Sequence, residues 1–294
     1  MRGVALSPSR PAAAPDVAEV TIKGIMQWTT AVQGVVIVLG LGLGLLFPRV
    51  RGVSFTKDAL INLTTGAILW PVRLGLTLAG VKLAQGAVPG LKGFVHLGTF
   101  VHPGLQFLLC FLLLDLAKYW LHRADHQIPA LWRFHRVHHS TENIDATAGL
   151  RMHVVDFLQL TALPILLFGV LLDVSQFEAW VLPVCFSIGI VADGLSHMNV
   201  AFPLTNPVFR TWLYTFNNPL FHAWHHTRDG VLCDGNYANA LPVWDVLFGS
   251  NVTQQAPPAL YGIEGDQRLI NDVIGLQLLR GHPSAGSDRP EHSR

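Results

Sequence analysis

Three histidine motifs carry the chemistry this sequence could support. Residues 121–140 read LHRADHQIPALWRFHRVHHS, and residues 221–227 read FHAWHHT. These two windows hold His122, His126, His135, His138, His139, His222, His225 and His226, eight of the chain's 14 histidines. A lone histidine is usually a core or surface group, but an ordered HxxxH, HxxHH, HxxHH series is a ligand pattern. His122 and His126 are four apart, so on a helix they project from one face and can grip one metal. His135 and His139 share a face in the same way. His138 and His139, being adjacent, point about 100° apart on a helix, which suits two neighbouring metals better than one. His222, His225 and His226 repeat that geometry. Eight imidazoles exceed the about four ligands of a closed zinc site. They fit a dinuclear centre, and imidazole alone does not choose among iron, zinc, copper and nickel.

The elements that must position these groups are apolar. Half the residues are hydrophobic and 13% are charged, with a mean hydropathy of +0.39. A soluble domain carries about 25% charged residues, so this chain cannot cover itself in water. The net charge of +1 and the lack of a basic block with interleaved aromatics give no case for a nucleic-acid partner. Cys110, Cys185 and Cys233 stand apart with no CxxC pair, which argues against both a disulfide framework and a cysteine zinc site.

Residues 1–23 read as a mobile tail rather than a cleaved signal peptide. Residues 24–48 are uncharged and long enough to cross a hydrocarbon core of roughly 30 Å, with Gly40, Gly42 and Gly44 permitting close helix contact. Asp58 opens a second candidate span over 59–84, interrupted by Arg73. A third uncharged run, 93–114, continues as helix through Asp115, Lys118 and Tyr119 towards His122. Shorter runs at 157–172 and 179–192, bent by Pro164 and Pro183, predict a membrane hairpin. The expected fold is an all-α integral membrane protein with four or five apolar helical segments and a cytoplasmic, histidine-lined helical cap. Its parts are the tail 1–23, N-terminal transmembrane helices over 24–92, a catalytic domain over 93–255 with a hairpin at 157–192, and a C-terminal tail over 256–294. Two basic groups, Arg49, Arg51 and Lys57, then Lys118, Arg123, Arg133, Arg136 and Arg151, agree on placing the histidines on the cytoplasmic face.

The order of these motifs resembles the fatty acid hydroxylase and sterol desaturase superfamily of membrane di-iron enzymes. Further elements carry the resemblance, which runs over about 105–250. Asp115–Leu–Ala–Lys–Tyr–Trp120 leads into His122. Arg151–Met–His153–Val–Val–Asp156 is similar to an R-x-H-P-x-E/D element, with Val154 where proline is common. Ser196–His197–Met–Asn199 is similar to an H-S-N element. Asn236–Tyr237 and Trp244–Asp245–Val–Leu–Phe248–Gly249 are similar to the NYG…WDxxFGT ending.

The resemblance implies that the eight clustered histidines bind two iron ions, with zinc as a possible substitute, and that His197 joins them. It leaves Asp193, four residues before His197, as a ligand or an orienting group. His153 reads better as a hydrogen-bonding neighbour than as a ligand. The implied activity is O2-dependent hydroxylation or desaturation at a C–H bond of a fatty acyl, sterol or related lipid, with hydroxylation preferred. Electrons would come from a partner such as a cytochrome b5-like protein, or a ferredoxin and its reductase, since no flavin, haem or iron–sulfur motif occurs in the chain. The rival readings are a dinuclear zinc hydrolase of lipid head groups and, last, a non-enzymatic metal-binding or metal-transporting membrane protein.

The remaining aromatic and polar residues have structural expectations. Tyr119, Trp120, Trp132, Trp212 and Trp224 would form an interfacial belt. Arg133 and Arg136 would be cytoplasmic anchors, or else bind a redox partner. Asn217, Asn218 and Pro219 would make the turn before the last histidine motif. Asn236, Tyr237, Trp244 and Asp245 would pack around the site. His96 and His102 would be interfacial, and His282 and His292 would be tail residues.

Overall fold

The computed structural model describes residues 17–53, 55–87, 93–96, 101–174, 176–201, 203, 205–254, 256–263 and 273–280. The expectations for residues 1–16, for the loop near 88–92, for the Arg73 side chain, and for His282 and His292 lie outside these described residues.

Three long helices dominate: α1 (Val17–Leu46), α2 (Lys57–Ala87) and α3 (Pro103–Gln127). Each contains a stretch long and apolar enough to cross a membrane, and the apolar helices at 154–168 and 181–197 are shorter. The fold is thus the all-α membrane architecture expected. Its first helix begins at Val17 rather than after residue 23. Many large apolar side chains on α1 and α2 remain exposed, Val38, Leu46, Leu60 and Ile68 among them, as lipid-facing surfaces require.

The fourth and fifth apolar runs form α5 (Val154–Ile165) and α6 (Val181–His197). Pro164 lies within α5, and the chain continues as a π-helical turn over Leu166–Leu171, a usual way to absorb a missing backbone donor. Pro183 sits in the first turn of α6, where no such donor is needed. At the far tip the two-residue strands β1 (Val95–His96) and β2 (Leu172–Asp173) pair in parallel, Val95 with Leu172 and His96 with Asp173. The His96 ring meets the Asp173 carboxylate at 2.8 Å. The hairpin therefore reaches the level of the residues that precede α3.

At the opposite end the helices converge on the cap. Glycine lets α1 and α6 approach closely: a Cβ on Gly194 would strike Val36, and one on Gly40 would come within 2.9 Å of Met198 at the end of α6. Gly42 faces open space and makes no such contact. Asn199, just past α6, clamps the end of α1 through both Val50 backbone groups, at 3.0 and 2.7 Å.

The start of α2 carries a buried polar face. Asp58 accepts hydrogen bonds from the Glu142 and Asn143 backbone amides and the Asn143 side chain. Asn62 donates to Thr147 at 3.0 Å. Arg151, wholly buried, donates to Ser140 at 2.9 Å, to Asp58 at 3.3 Å and to Asn62 at 3.4 Å. A guanidinium fork thus ties α2 to the segment that follows the first HxxHH motif.

Three sequence expectations are corrected by packing. The segment after residue 255 is not all tail. Tyr261 bridges to Thr227, and α10 (Val273–Gln277) docks on α2 and on the start of α5, with Leu276 fully buried beside Ile61 and Val137. The expected belt also loses members. Tyr119 is buried, stacks on Phe248 and meets Ser250 Oγ at 2.8 Å. Arg136, expected at the surface, is 4% exposed.

Candidate metal centre

Short elements with sharp boundaries place each imidazole. Ile128 takes an extended conformation, as the residue before a proline must, and Pro129 opens α4 (Pro129–His139) directly. This one-residue break folds α4 back on α3, so that His122 and His126 face His135 and His139. In α8 (Pro219–His225), Pro219 occupies the first turn, and Asn218 caps it by accepting from the Leu220 and Phe221 amides at 3.1 and 3.0 Å, a strong start signal. Asn217 anchors the same turn through the Ala238 and Asn239 carbonyls. His197 ends α6.

Nine histidines gather in two groups whose ligand atoms lie within 4.8 Å of one another. One holds His122, His126, His135, His139 and His225. The other holds His138, His197, His222 and His226. The adjacent pairs 138/139 and 225/226 each split between the groups. Nε2 atoms face inwards: 3.1 Å for His122–His135 and for His126–His139, 3.3 Å for His138–His197, 3.1 Å for His197–His222 and 3.0 Å for His222–His226. Nitrogens bound to one metal through bonds of about 2.1 Å sit about 3.0–3.4 Å apart, so the spacing fits a shared ion. The buried His225 Nε2 has no hydrogen-bond partner in the protein, an orphan that a metal would satisfy. Neither group includes a carboxylate or thiolate among the described residues.

In four of the nine rings a backbone carbonyl holds the opposite nitrogen, which fixes Nε2 as the free ligand. His122 Nδ1 donates to the Tyr237 carbonyl at 2.7 Å, His225 Nδ1 to the Gly235 carbonyl at 2.8 Å, His138 Nδ1 to the Arg151 carbonyl at 3.2 Å and His197 Nδ1 to the Asp193 carbonyl at 2.7 Å. His126 Nδ1 meets the Asp234 carboxylate at 3.2 Å.

Residues 234–237 therefore form a collar for the five-histidine group, and other residues shape it. Asn236 adopts φ of 57°, the left-handed region that asparagine tolerates. Its side chain donates to the Phe221 and Val252 carbonyls and accepts from the Val252 amide. Asp245 accepts from the Tyr237 and Ala238 amides, both at 2.8 Å, and Asp115 from the Ala240 amide at 2.9 Å and the Trp244 ring at 2.9 Å.

Burial decides the protonation of these rings. Desolvation, then repulsion from neighbouring imidazoles, holds His138, His139, His222 and His226 well below the ordinary histidine range. Burial pulls His225 down to about 3. Neutral imidazoles at neutral pH are what metal ligation needs.

Two candidates stand apart from both groups. His153 caps α5, its Nδ1 accepting from the Val155 amide at 3.1 Å while Nε2 donates to the Gln277 carbonyl at 3.0 Å. The Asp193 carboxylate is 3.6 Å from His197 Nδ1, and the hydrogen bond to that ring comes from the Asp193 backbone instead. Trp132, expected at the interface, lies over the rings of His126, His135 and His139. Asp234 and the Gly235 carbonyl carry no signal in the sequence, because their partners lie far away along the chain.

A partly open cleft is lined by His122 and His135 of one group and His138 and His222 of the other. Its remaining wall includes Lys118, Asp125, Asp156, Asp193, Ser196, Asn239, Leu121, Met152 and Leu160.

Residues 107–250 match the family described as fatty acid hydroxylase. The chain is 31% identical over 205 residues to "Ornithine lipid hydroxylase OlsE" of Rhizobium tropici, covering 68% of this chain and 57% of that protein. It is 26% identical over 167 residues to "Alkylglycerol monooxygenase" of Danio rerio, covering 53% of this chain and 32% of the relative. It is 29% identical over 150 residues to "Fatty acid hydroxylase vlmA" of Lecanicillium sp, covering 47% and 40%. Each match thus spans less than two thirds of the relative. No solved structure matches the chain.

Proposed function

We propose, for a chain that belongs to the fatty acid hydroxylase and sterol desaturase superfamily through residues 107–250, that it is an O2-dependent hydroxylase of a membrane lipid with two histidine-bound irons. The observation that carries this reading is the division of nine imidazoles, eight buried and His122 half-buried, into two adjacent groups that share one cleft. His122, His126, His135, His139 and His225 would hold one ion, and His138, His197, His222 and His226 the other. Two iron ions in such a nitrogen-rich set supply O2 activation for attack on an unreactive C–H bond. One oxygen atom enters the C–H bond. The other leaves as water, formed with two protons and two electrons from an external donor, such as a cytochrome b5-like protein or a ferredoxin with its reductase.

The chain's own residues bind, orient and exclude water. Backbone carbonyls at 151, 193, 235 and 237 keep the Nδ1–H tautomers and so aim Nε2 at the metals. The cleft admits substrate next to both groups and sets which carbon is presented. Relatives named as hydroxylases or monooxygenases of fatty acids, ornithine lipids and alkylglycerols support hydroxylation of a lipid over desaturation. A multi-pass arrangement with the histidine end in the cytoplasm agrees with the basic residues at that end. A dinuclear zinc hydrolase usually carries a carboxylate bridging its metals, and neither histidine group holds one among the described residues.

The test is anaerobic purification in detergent, metal analysis, and oxygen uptake with bacterial lipid extract and a chemical reductant. Two irons per chain and lipid-dependent O2 consumption yielding a lipid with one added oxygen are expected. Lipid turnover that continues without O2 would sink the oxidase reading.

A further inference from the structure

A line of aromatic rings runs from the five-histidine group to the surface. Tyr237 is buried, with its ring centroid 5.1 Å from His126, 5.8 Å from His122 and 5.9 Å from His225. Tyr119, also buried, follows at 6.2 Å, and Trp120 at a further 5.4 Å. Trp120 is 47% exposed. These separations lie within ordinary aromatic contact, about 4.5–7 Å, so no gap interrupts the series. Packing alone accounts for the rings, but not for what surrounds the Tyr119 hydroxyl.

The partners of that hydroxyl fix where its hydrogen points. Arg123 can only donate, and it does so to the phenol oxygen at 2.9 Å. Ser250 donates to the Asp245 carboxylate at 2.7 Å, so its own hydrogen is committed. The 2.8 Å contact between Tyr119 and Ser250 therefore runs from the phenol O–H to Ser250 Oγ. The phenolic proton has a path through Ser250 to Asp245. Burial raises the Asp245 carboxyl to about 6, which favours taking up a proton. A tyrosine is oxidised far more readily when its proton leaves with the electron, because the phenol radical cation is a strong acid.

Ligand rings are the nearest target for an oxidising equivalent left at an O2-activating centre when no lipid C–H bond is in place. Resting on that reading of the histidine groups, we propose that Tyr119, linked inwards by Tyr237 and outwards by Trp120, drains such equivalents to the surface. One electron passes from Tyr119 across the Tyr237 ring to the metal group, and the phenolic proton passes through Ser250 to Asp245. Trp120 then relays one electron to Tyr119 from a water-soluble reductant of the ascorbate class, and Asp245 returns the proton. The net change is one electron from the reductant to the metal group, with no proton gained or lost by the protein. Arg123, 5.5 Å over the Trp120 ring, draws an anionic reductant to that exit.

The test uses the full chain in detergent, first loaded with redox-silent zinc. A soluble ruthenium photo-oxidant is flashed, and electron paramagnetic resonance reads the radicals, with ring-deuterated tyrosine marking the carrier. A tyrosyl signal that Tyr119→Phe removes is expected. Ser250→Ala should remove the same signal with every ring in place, and Trp120→Phe should remove it by closing the exit. Iron-loaded, reduced protein is then given O2 without lipid, and mass spectrometry reads oxidation of His122, His126 and His225. Tyr119→Phe and Ser250→Ala should carry more ligand oxidation than the parent, and ascorbate should protect the parent alone. If Tyr119→Phe fails to fold or load metal, Ser250→Ala and Trp120→Phe decide the matter. A parent with no Tyr119 signal, a signal that survives Ser250→Ala, or a radical confined to Trp132, which also lies over three ligand rings, would overturn the proposal. Lipid-dependent O2 uptake alongside such a result leaves the oxidase reading standing. A Tyr119 signal in the zinc-loaded protein without any O2 uptake by the iron-loaded one refutes that reading instead.

Discussion

His138 and His139 are neighbours in sequence, yet replacing them should damage different metal sites. His138 is one of four imidazoles in its group and His139 one of five. Four-ligand structural zinc sites are worth about 10–16 kcal/mol at neutral pH, so one imidazole contributes roughly 2.5–4 kcal/mol. His138→Ala should therefore weaken its site by about 100-fold or more. His139→Ala leaves four imidazoles, about a full tetrahedral set, and should weaken the other site by only roughly tenfold. The assay is equilibrium dialysis against buffered free zinc, a redox-silent substitute, with metal analysis to resolve two binding steps. Each single variant should shift one step, and the two variants should shift different steps. His138→Ala/His197→Ala should lose one metal and keep the other, whereas His138→Ala/His139→Ala should shift both steps. If His138→Ala/His197→Ala lost both metals, or the 138/139 double moved only one step, the two-group assignment would be refuted.

Other expectations follow from the surrounding shell. Arg151→Met should cost about 3 kcal/mol, the low end for breaking a buried ion pair, because Asp58 keeps three other donors; denaturant unfolding in detergent measures it, and adding Asp58→Asn should restore part of the loss. Asn236→Ala should cost about 2–4 kcal/mol through its lost buried hydrogen bonds and its left-handed backbone. Asn236→Gly should be milder by roughly 1 kcal/mol, and thermal melts rank the two. For pH, His225 is held at about 3, below its unfolded value of about 6.5. The metal-free fold then binds fewer protons than the unfolded chain, and its stability is full above about pH 6.5 and falls as pH drops towards 3. His225 alone should take about 1.4 kcal/mol from the metal-free protein at pH 5.5, seen as a falling melting midpoint that bound metal flattens. For the same reason, zinc uptake at pH 6 should release few protons, checked by calorimetry in two buffers of different ionisation enthalpy.

Much of the centre was legible in the sequence because ligand spacing is a local property. The i, i+4 pairs 122/126, 135/139 and 222/226 each fall within one group, and the adjacent pairs fall across two, as helical geometry requires. The apolar runs also foretold the long helices, since composition alone decides what can face lipid. Asn217 and Asn218 before Pro219 announced the start of α8 because capping acts over two or three residues.

What the sequence could not reveal are contacts between residues distant in the chain. Asp234 reaches His126, Arg151 offers its carbonyl to His138 while its side chain grips α2, and Gln277 meets His153. Tyr119 and Trp132 look like interfacial aromatics by composition, and only packing buries one and lays the other over the ligand rings. The segment after 255 looks like tail because it is polar and short of periodicity, yet α10 packs on α2 and buries Leu276 against Ile61 and Val137. That the adjacent pairs 138/139 and 225/226 split in two directions follows from spacing along single helices. Which imidazoles share a group, and which carbonyls orient them, was decided by tertiary structure, because desolvation and hydrogen bonding act only once remote segments meet.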